Sequence, residues 1–309
     1  MWRYIVRRLG EAVPVLVGLS IFVFGILHFI PGDPALALAY GSGGSFSHQD
    51  LMTLRRQLGF DRPISVQYLR WVESVARGDL GKSVFWTLPV KALILSQMKA
   101  TFTLAATGMA IAVMIGVPLG VLAALRHRSW LDAGVIGLSL VGTAMPSFWL
   151  AILLILLFTL KLRLLPSMGQ GTWQQLIMPA FALGFASSAA LARLTRSEML
   201  EVLQEDYVRT ARSKGLGGTA VVCKHALRNA LLPLVTATGL QLGNLLGGAT
   251  IIETVFARQG LGRLAVQAIQ SRDYPVVQGV VLFVSLVYIV INLTVDVSYA
   301  VLNPRIRYT

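Results

Sequence analysis

Long apolar runs alternate with short polar segments along most of the chain. Six runs have the roughly 20 residues that a helix needs to cross a lipid bilayer. They are residues 9–30, 100–125, 133–160, 176–197, 230–252 and 279–302. The fourth run is rich in Ala, Ser and Gly, which is typical of a helix that packs against other helices rather than lipid. The pattern predicts an all-α integral membrane protein with six transmembrane helices.

The polar stretch 31–99 has helical spacing of its own. Leu51, Leu54 and Leu58 recur at intervals of three and four residues, and a second helical pattern follows in residues 65–81. We therefore expect a small helical lobe between the first and second spans.

The first apolar run could instead belong to a cleaved signal peptide, because three arginines precede it. The run Leu9–Ile30 is longer than the apolar region of a signal peptide. The sequence Pro-Gly-Asp-Pro at 31–34 breaks the chain where a span should end. These features predict a retained first span.

Lys and Arg are distributed unequally between the predicted loops. With the N-terminus in the cytoplasm, the inside segments carry 14 of them and the short outside loops carry 5. The other 8 lie in residues 31–99, beyond the loop length of about 60 residues within which the positive-inside rule holds. This bias predicts a multi-pass membrane protein with both termini cytoplasmic. The net charge of +13 then reflects topology and contact with membrane lipid, and no nucleic acid partner is expected.

The chain offers few groups for catalysis or metal binding. Cys223 is its one cysteine, and its four histidines fall in four different segments, so the sequence contains no paired-histidine metal motif. Residues 76–83, ARGDLGKS, imitate a phosphate-binding loop but carry Ala76 where that loop needs glycine. We expect no catalytic residue, metal site or cofactor in this chain, so any ATP and Mg²⁺ would be bound by a partner.

Polar residues nevertheless occur on the fifth span and at its outer end. They are Thr236, Thr238, Gln241, Asn244 and Glu253. Polar groups are costly in hydrocarbon, so such residues usually face a bundle interior or a water-filled path. Two interpretations stay open for them: a translocation path, or hydrogen bonds between helices without contact to cargo. On the sixth span, Asp296 is expected to have a basic partner near the interface.

Glycines recur every four residues on two of the spans. Gly239, Gly243 and Gly247 share one face of the fifth span, and Gly116 and Gly120 do so on the second. This spacing predicts close approach of another helix.

A basic segment, residues 206–233, separates the fourth and fifth spans. It resembles the "EAA" loop of permease subunits of ABC importers, in which Glu-Ala-Ala is followed by a glycine and then by Leu-Pro. The corresponding residues here are Arg209-Thr210-Ala211, Gly215 and Leu232-Pro233. The acidic position holds Arg209 and the spacer to the proline is longer, as in the variant found in the peptide/nickel permease family.

Further motifs extend this resemblance over essentially the whole chain. They are IPGDP (30–34), LLGG followed by IIETVF (245–256), GLGRL (260–264), RDYPVVQG (272–279) and LNPRIRYT (302–309). The family includes the first permease subunits of dipeptide, oligopeptide, glutathione and nickel importers. The loop and the tail are most similar to those of the glutathione and dipeptide members.

The resemblance implies a protein of the bacterial inner membrane that has a type I ABC importer permease fold with three regions. These are a cytoplasmic N-terminus and first transmembrane helix (1–30), an extracytoplasmic helical lobe (31–99) and a permease core (100–309) containing a cytoplasmic ATPase-docking loop (198–229). It also implies four partners: a second homologous permease, two cytoplasmic ATPases and an extracytoplasmic substrate-binding protein. Candidate docking residues are Asp206, Tyr207, Arg209, Thr210, Ala211, Lys214, Gly215, Leu216, His225, Arg228 and Asn229.

The residues of the loop suit such a role. A helical turn over Thr210–Gly215 is expected to end at its glycine. Leu216 is then an apolar plug between charges, and Pro233 is expected in the first turn of the next span, where proline is tolerated.

Three alternatives remain at the level of sequence. The basic loop could be a lipid anchor only, the cargo could be nickel or another small solute rather than a short peptide, and the chain could be a stand-alone ion-coupled carrier. A carrier of that kind should have several ionisable residues at mid-membrane depth, and this pattern is absent from the sequence.

Overall fold

The computed structural model describes residues 2–29, 52–53 and 61–302. Ten helices of eight or more residues are defined within these ranges, together with a three-residue helical turn, Gly218–Ala220, and two π-helical stretches. In chain order they are α1 Trp2–Phe29, α2 Ile64–Ala76, α3 Val90–Leu125, α4 Trp130–Ala144, α5 Ser147–Leu154, α6 Gln174–Val202, α7 Asp206–Ser213, α8 Leu227–Val255, α9 Leu261–Gln270 and α10 Tyr274–Leu302. The only β feature in the described ranges is an isolated antiparallel bridge between Lys82 and Pro89. The expectation of an all-α membrane protein is confirmed.

Length and apolar character identify the membrane helices. Among the described residues, four helices qualify alone, over Val6–Gly25, Val90–Leu125, Gln174–Val202 and Tyr274–Ser298. Two further pairs of helical segments are bent, Trp130–Ala144 with Ser147–Lys161 and Gly218–Leu231 with Pro233–Val255. They bring the number of spans to six if each pair is one span. The α3 helix begins ten residues before the predicted second span, because the apolar residues Val90, Leu93 and Ile94 are buried and extend its first turns.

The third predicted span, 133–160, is not one continuous helix. α4 ends at Ala144, Met145 is extended with φ −79° and ψ 122°, and Pro146 caps α5. A proline disfavours helical geometry in the residue before it, which explains the end of α4. α5 continues as a π-helix, Ile155–Lys161, and the pair is bent by 102°.

Pro233 does not lie in the first turn of a span, so that prediction is wrong. α8 begins at Leu227, preceded by a π-helical stretch over Val221–Ala226, and Pro233 lies inside the helix. A proline inside a helix removes a backbone hydrogen bond and bends the axis. Accordingly, Gly218–Leu231 and Pro233–Val255 are bent by 51°.

The chain divides into two compact units. The first contains Met1–Ile5, Ala100–Arg258 and Val290–Thr309, and the second contains Val6–Lys99 and Gln259–Ile289.

In the first unit, α6 packs against α4, α5 and α8. Of the four unbroken candidate spans, α6 has the largest buried share, 61%, which confirms that the fourth run packs against protein. Its small side chains also bring α3 close: a Cβ added at Gly116 would lie 2.5 Å from the carbonyl oxygen of Ser188. A Cβ at Gly184 would overlap the carbonyl oxygen of Gly108.

In the second unit, the first turns of α3 pack with α9 and α10 around residues such as Ile94, Leu261 and Val276. The α2 helix of the predicted lobe packs on α1, where Ser20 Oγ and Tyr68 Oη are 2.8 Å apart. The other helix expected in the lobe, 48–60, lies outside the described residues except for 52–53.

Candidate docking loop and transport path

The α7 helix of the docking loop ends in a Schellman motif. Gly215 N–H donates to Arg212 O at 3.0 Å, and Leu216 N–H donates to Ala211 O at 3.3 Å. Gly215 has φ +78°, a conformation that costs a residue with a Cβ about 1 kcal/mol or more. The expected glycine stop after Thr210 is therefore confirmed, and the motif fixes where Leu216 leaves the helix.

One face of α7 is buried and the other is exposed. Val208 and Ala211 pack against Val221 at the start of the π-helical stretch. Ala211 is thus a packing residue whose side chain does not reach the surface of the loop. The exposed face carries Asp206, Arg209, Thr210 and Lys214, and Leu216 follows it with 42% of its surface exposed.

A hydrogen bond ties α7 to the beginning of α8. Asn229 Nδ2 donates to Tyr207 Oη at 2.8 Å and to His225 O at 3.1 Å. Arg228 beside it is exposed. Movement of α7 would therefore be transmitted to the first turn of α8 through Tyr207 and Asn229 as well as through the chain.

The five candidate path residues have different environments. Thr238 Oγ1 donates to Leu234 O at 2.7 Å within its own helix. Gln241 Oε1 accepts from Ser187 Oγ of α6 at 3.4 Å. Asn244 is exposed. Thr236 Oγ1 is buried without a partner among the described residues. Gln241 thus forms a contact between helices. Asn244 is exposed and could line a translocation path, and this role remains a prediction.

Glu253, the fifth candidate, is buried at the end of α8, with 1% of its surface exposed. Thr101 Oγ1 of α3 donates to its Oε1 at 2.6 Å. Arg258 is also buried, and its Nη1 donates to Gln175 O at 3.0 Å. Burial lowers the pKa of the Arg258 guanidinium below its ordinary value, and the charge of Glu253 opposes this effect. Glu253 therefore joins elements of the first unit.

Of the glycines expected to mediate close packing, Gly239 lies against Val295 of α10, and Gly116 and Gly120 lie against α6. Gly247 has open space around its Cα. The prediction of close approach is thus confirmed for the first three, whereas at Gly247 and Gly243 it stays a prediction. The pairing of Gly108 with Gly184 was not predicted, although Gly108 continues the four-residue spacing through Ala112 to Gly116.

An ion-pair cluster at the start of α4 was also not predicted. Arg196 of α6 holds Asp132 with two bonds, Nε to Oδ1 at 2.5 Å and Nη2 to Oδ2 at 2.9 Å. The Arg128 N–H donates to Oδ2 at 3.0 Å, and His127 Nδ1 lies 3.2 Å from the same oxygen. Asp132 also donates its own N–H to Ser129 Oγ, the N-cap of α4. The cluster fixes the 126–129 turn to α6.

The fold resembles that of solved ABC transporter chains. Two crystal forms of the MetNI methionine ABC transporter, both inward-facing, match with TM-scores of 0.61 and 0.57 at 20% and 22% identity. They cover 69% and 68% of this chain, and 97% and 96% of the solved chains. The chain is therefore an all-α multi-pass membrane protein with the type I ABC importer permease fold.

Sequence comparison gives the family. The model of the binding-protein-dependent transport system inner membrane component matches residues 116–308, and the model of the corresponding N-terminal region matches residues 1–104. The chain belongs to this family. It is therefore a transport permease subunit of the inner membrane and is not itself an enzyme.

Relatives match over their full lengths. The glutathione transport system permease protein GsiC of Salmonella paratyphi A is 44% identical over 308 residues, and that of Escherichia coli O6:H1 is 43% identical over 308 residues. A putative peptide transport system permease protein of Brucella abortus is 42% identical over 316 residues. Each alignment covers 100% of this chain and 100% of the relative.

Proposed function

We propose that this chain is one of two permease subunits of an ATP-driven importer of short peptides, including glutathione-like peptides. The observation that carries the proposal is the rigidly terminated α7 helix, whose exposed face ends at Leu216. A transporter subunit driven by another protein needs such a surface, where a moving partner can push without unfolding the loop. The glutathione and peptide permeases among the relatives support the cargo class.

The proposed assembly has five components. This chain pairs with a second, homologous permease, two cytoplasmic ATPases bind ATP and Mg²⁺, and an extracytoplasmic binding protein delivers the peptide. The docking loop 198–229 and both termini then face the cytoplasm, which the 14-to-5 distribution of Lys and Arg supports.

Movement enters through the docking loop and reaches the helices as a rigid-body displacement. Closure of the ATPases displaces α7, and its packing on Val221 together with the Tyr207–Asn229 bond carries the displacement to α8. The bend at Pro233 lets the first turns of α8 tilt while the part after the proline keeps its packing. Alternating opening of the path to the two sides then imports the cargo.

Reconstitution tests this proposal. The chain is co-expressed with its neighbouring permease, ATPase and binding-protein partners, purified in mild detergent and placed in liposomes. We expect the ATPases to copurify, and uptake of a radiolabelled short peptide to require ATP and the binding protein. A lone homo-oligomer that moves solute on an ion gradient, or a complex that takes up ⁶³Ni²⁺ but no peptide, would contradict it.

A further inference from the structure

A basic turn with exposed apolar side chains on both sides of it joins α3 to α4. The turn contains Arg126 and Arg128, and both side chains are exposed. Among the described residues, neither of these side chains takes part in an ion pair. Leu125 precedes the turn with 46% of its surface exposed, and Trp130 follows it with 86% exposed. Together these four residues make up the basic turn surface.

Hydrogen bonds hold the backbone of this turn in one conformation. The Ser129 N–H donates to Arg126 O at 3.1 Å. Arg128 has φ +63°, a left-handed conformation that is costly for a residue with a Cβ. Its N–H donates to Asp132 Oδ2 at 3.0 Å, and Asp132 is bound in turn by Arg196 of α6. The basic side chains therefore extend from a preformed backbone, which lowers the entropic cost of binding a ligand.

The positive charge of the turn is not neutralised by its own segment of the chain. Asp132 is the one acidic residue between positions 120 and 140. Only 5% of its side chain is exposed, and its two carboxylate oxygens accept from Arg196 at 2.5 and 2.9 Å. Because this carboxylate is occupied by α6, Arg126 and Arg128 keep their charge at the surface. An anion from outside the chain would form charge-assisted hydrogen bonds with them.

The position of the turn indicates an anion at a membrane interface. The turn joins the candidate span α3 to α4, the first half of a bent candidate span. Leu125 is the last residue of α3 and Trp130 is the first residue of α4. Tryptophan is enriched where hydrocarbon meets the lipid headgroups, because its ring is apolar and its N–H is polar. A phospholipid offers both a phosphate for the arginines and acyl chains for the apolar side chains, whereas free phosphate offers only the first.

We propose that the basic turn surface binds an anionic phospholipid in the leaflet that this turn faces. The lipid phosphate accepts hydrogen bonds from the guanidinium groups of Arg126 and Arg128. Leu125 contacts the beginning of an acyl chain, and Trp130 contacts the glycerol region. In the proposed orientation this is the cytoplasmic leaflet. The binding itself depends neither on that orientation nor on the cargo.

Quenching by spin-labelled lipids tests the site. Leu122, an exposed residue one turn before Leu125, is changed to Cys in a Cys223→Ser background and labelled with bimane. The assembled complex is placed in phosphatidylcholine nanodiscs with increasing fractions of phosphatidylglycerol or phosphatidylcholine that carries a spin label in its acyl chain. Half-maximal quenching should need a mole fraction at least about fivefold lower for phosphatidylglycerol, because one basic residue near the surface favours an anionic lipid by about this factor.

Variants of the two arginines make the test specific. Arg126→Gln combined with Arg128→Gln should bring the two mole fractions together, because the charges are removed from exposed side chains without disturbing the fold. Arg126→Lys combined with Arg128→Lys should retain most of the preference, since lysine also binds phosphate as a point charge. Arg212→Gln is the matched control. Arg212 is an exposed cation of α7 outside the basic turn surface, so its loss should leave the preference unchanged.

Three results would overturn the inference. Equal quenching by the two lipids would show that the turn does not select an anionic headgroup. A preference that survives the paired glutamine variant, or that is lost equally in Arg212→Gln, would show a general attraction of the basic chain to anionic membranes. Absence of quenching by either lipid would show that another subunit covers this surface. Because the measurement does not require transport, its failure would leave the proposed function intact.

Discussion

At the scale of single residues, Asp132 and Arg196 form a buried ion pair that is held by several hydrogen bonds. Only 5% of the Asp132 side chain is exposed, and its oxygens accept from Arg196 and from the Arg128 N–H. Removing Asp132 leaves the Arg196 guanidinium, whose side chain is 20% exposed, without its carboxylate partner, which costs more than losing an exposed pair.

Asp132→Ala should therefore lower the free energy of unfolding by about 3 kcal/mol. The measurement is thermal unfolding of the purified complex in detergent, followed by size-exclusion chromatography after heating. Glu11→Ala is the control, because Glu11 pairs with Arg7 in an exposed position and its loss should cost less than about 1 kcal/mol. Equal shifts for the two variants would show that the Asp132 cluster does not contribute as argued.

This cluster illustrates what the sequence could not predict. Asp132 and Arg196 are 64 residues apart, and only the packing of α4 on α6 brings them together. A local signal existed: Ser129 and Asp132 have the spacing of a helix N-cap with an acidic third residue. That signal predicts where α4 begins but not that Asp132 also binds an arginine on another helix.

At the scale of elements, close packing of α3 on α6 depends on residues without side chains. Gly108, Gly116 and Gly120 face backbone atoms of α6, and Gly184 faces backbone atoms of α3. In a lipid environment the hydrophobic effect does not drive helices together, so such close contact is a main source of helix association.

Gly184→Ala should destabilise the subunit by about 1–3 kcal/mol, because its Cβ would overlap the carbonyl oxygen of Gly108 and force the helices apart. Gly134→Ala on α4 is the control. That position has no atom within 4 Å of an added Cβ, and alanine favours a helix over glycine by about 1 kcal/mol. Thermal unfolding in detergent distinguishes them, and a Gly184→Ala protein as stable as Gly134→Ala would contradict close packing at this site.

Apolar length predicted the long helices, because a bilayer span requires about 20 apolar residues whatever their order. The bends within the third and fifth predicted spans were not predicted. Pro118 and Pro179 lie inside α3 and α6, which remain single candidate spans, whereas Pro146 starts a new helix and Pro233 coincides with a bend. Proline weakens every helix that it enters, but neighbouring helices determine whether the freed backbone groups find other partners.

At the scale of the whole molecule, orientation follows from the loops and makes a prediction that labelling can check. In a Cys223→Ser background, Thr219→Cys and Gln270→Cys place single thiols at exposed positions, one in the docking loop and one at the end of α9. An impermeant maleimide added to intact spheroplasts should label position 270 and should label position 219 only after the membrane is opened. The reverse pattern would invert the proposed topology and remove the docking loop from the ATPase side.

The docking loop is the place where an external motor would act on the molecule. Leu216 follows the Schellman motif and is partly exposed, so its apolar surface is available to a partner. Because Leu216 lies at the surface of the chain, changing it should affect binding of the ATPases or ATP-driven movement more than it affects folding.

Leu216→Asp and Gly215→Pro should each abolish ATP-driven peptide uptake while both permeases remain assembled in the membrane. Aspartate would place a charge in an interface that excludes water, at a cost of several kcal/mol if unpaired. Proline cannot adopt φ +78° and has no N–H to donate to Arg212 O, so the end of α7 would be lost.

Thr219→Asp changes an exposed position in the same loop. It is the control and should transport normally. Uptake, ATP hydrolysis stimulated by the loaded binding protein, and subunit retention are compared in liposomes. If Leu216→Asp and Gly215→Pro transport as well as Thr219→Asp, the loop is a basic lipid anchor, and the movement of the ATPases reaches the permease through another surface.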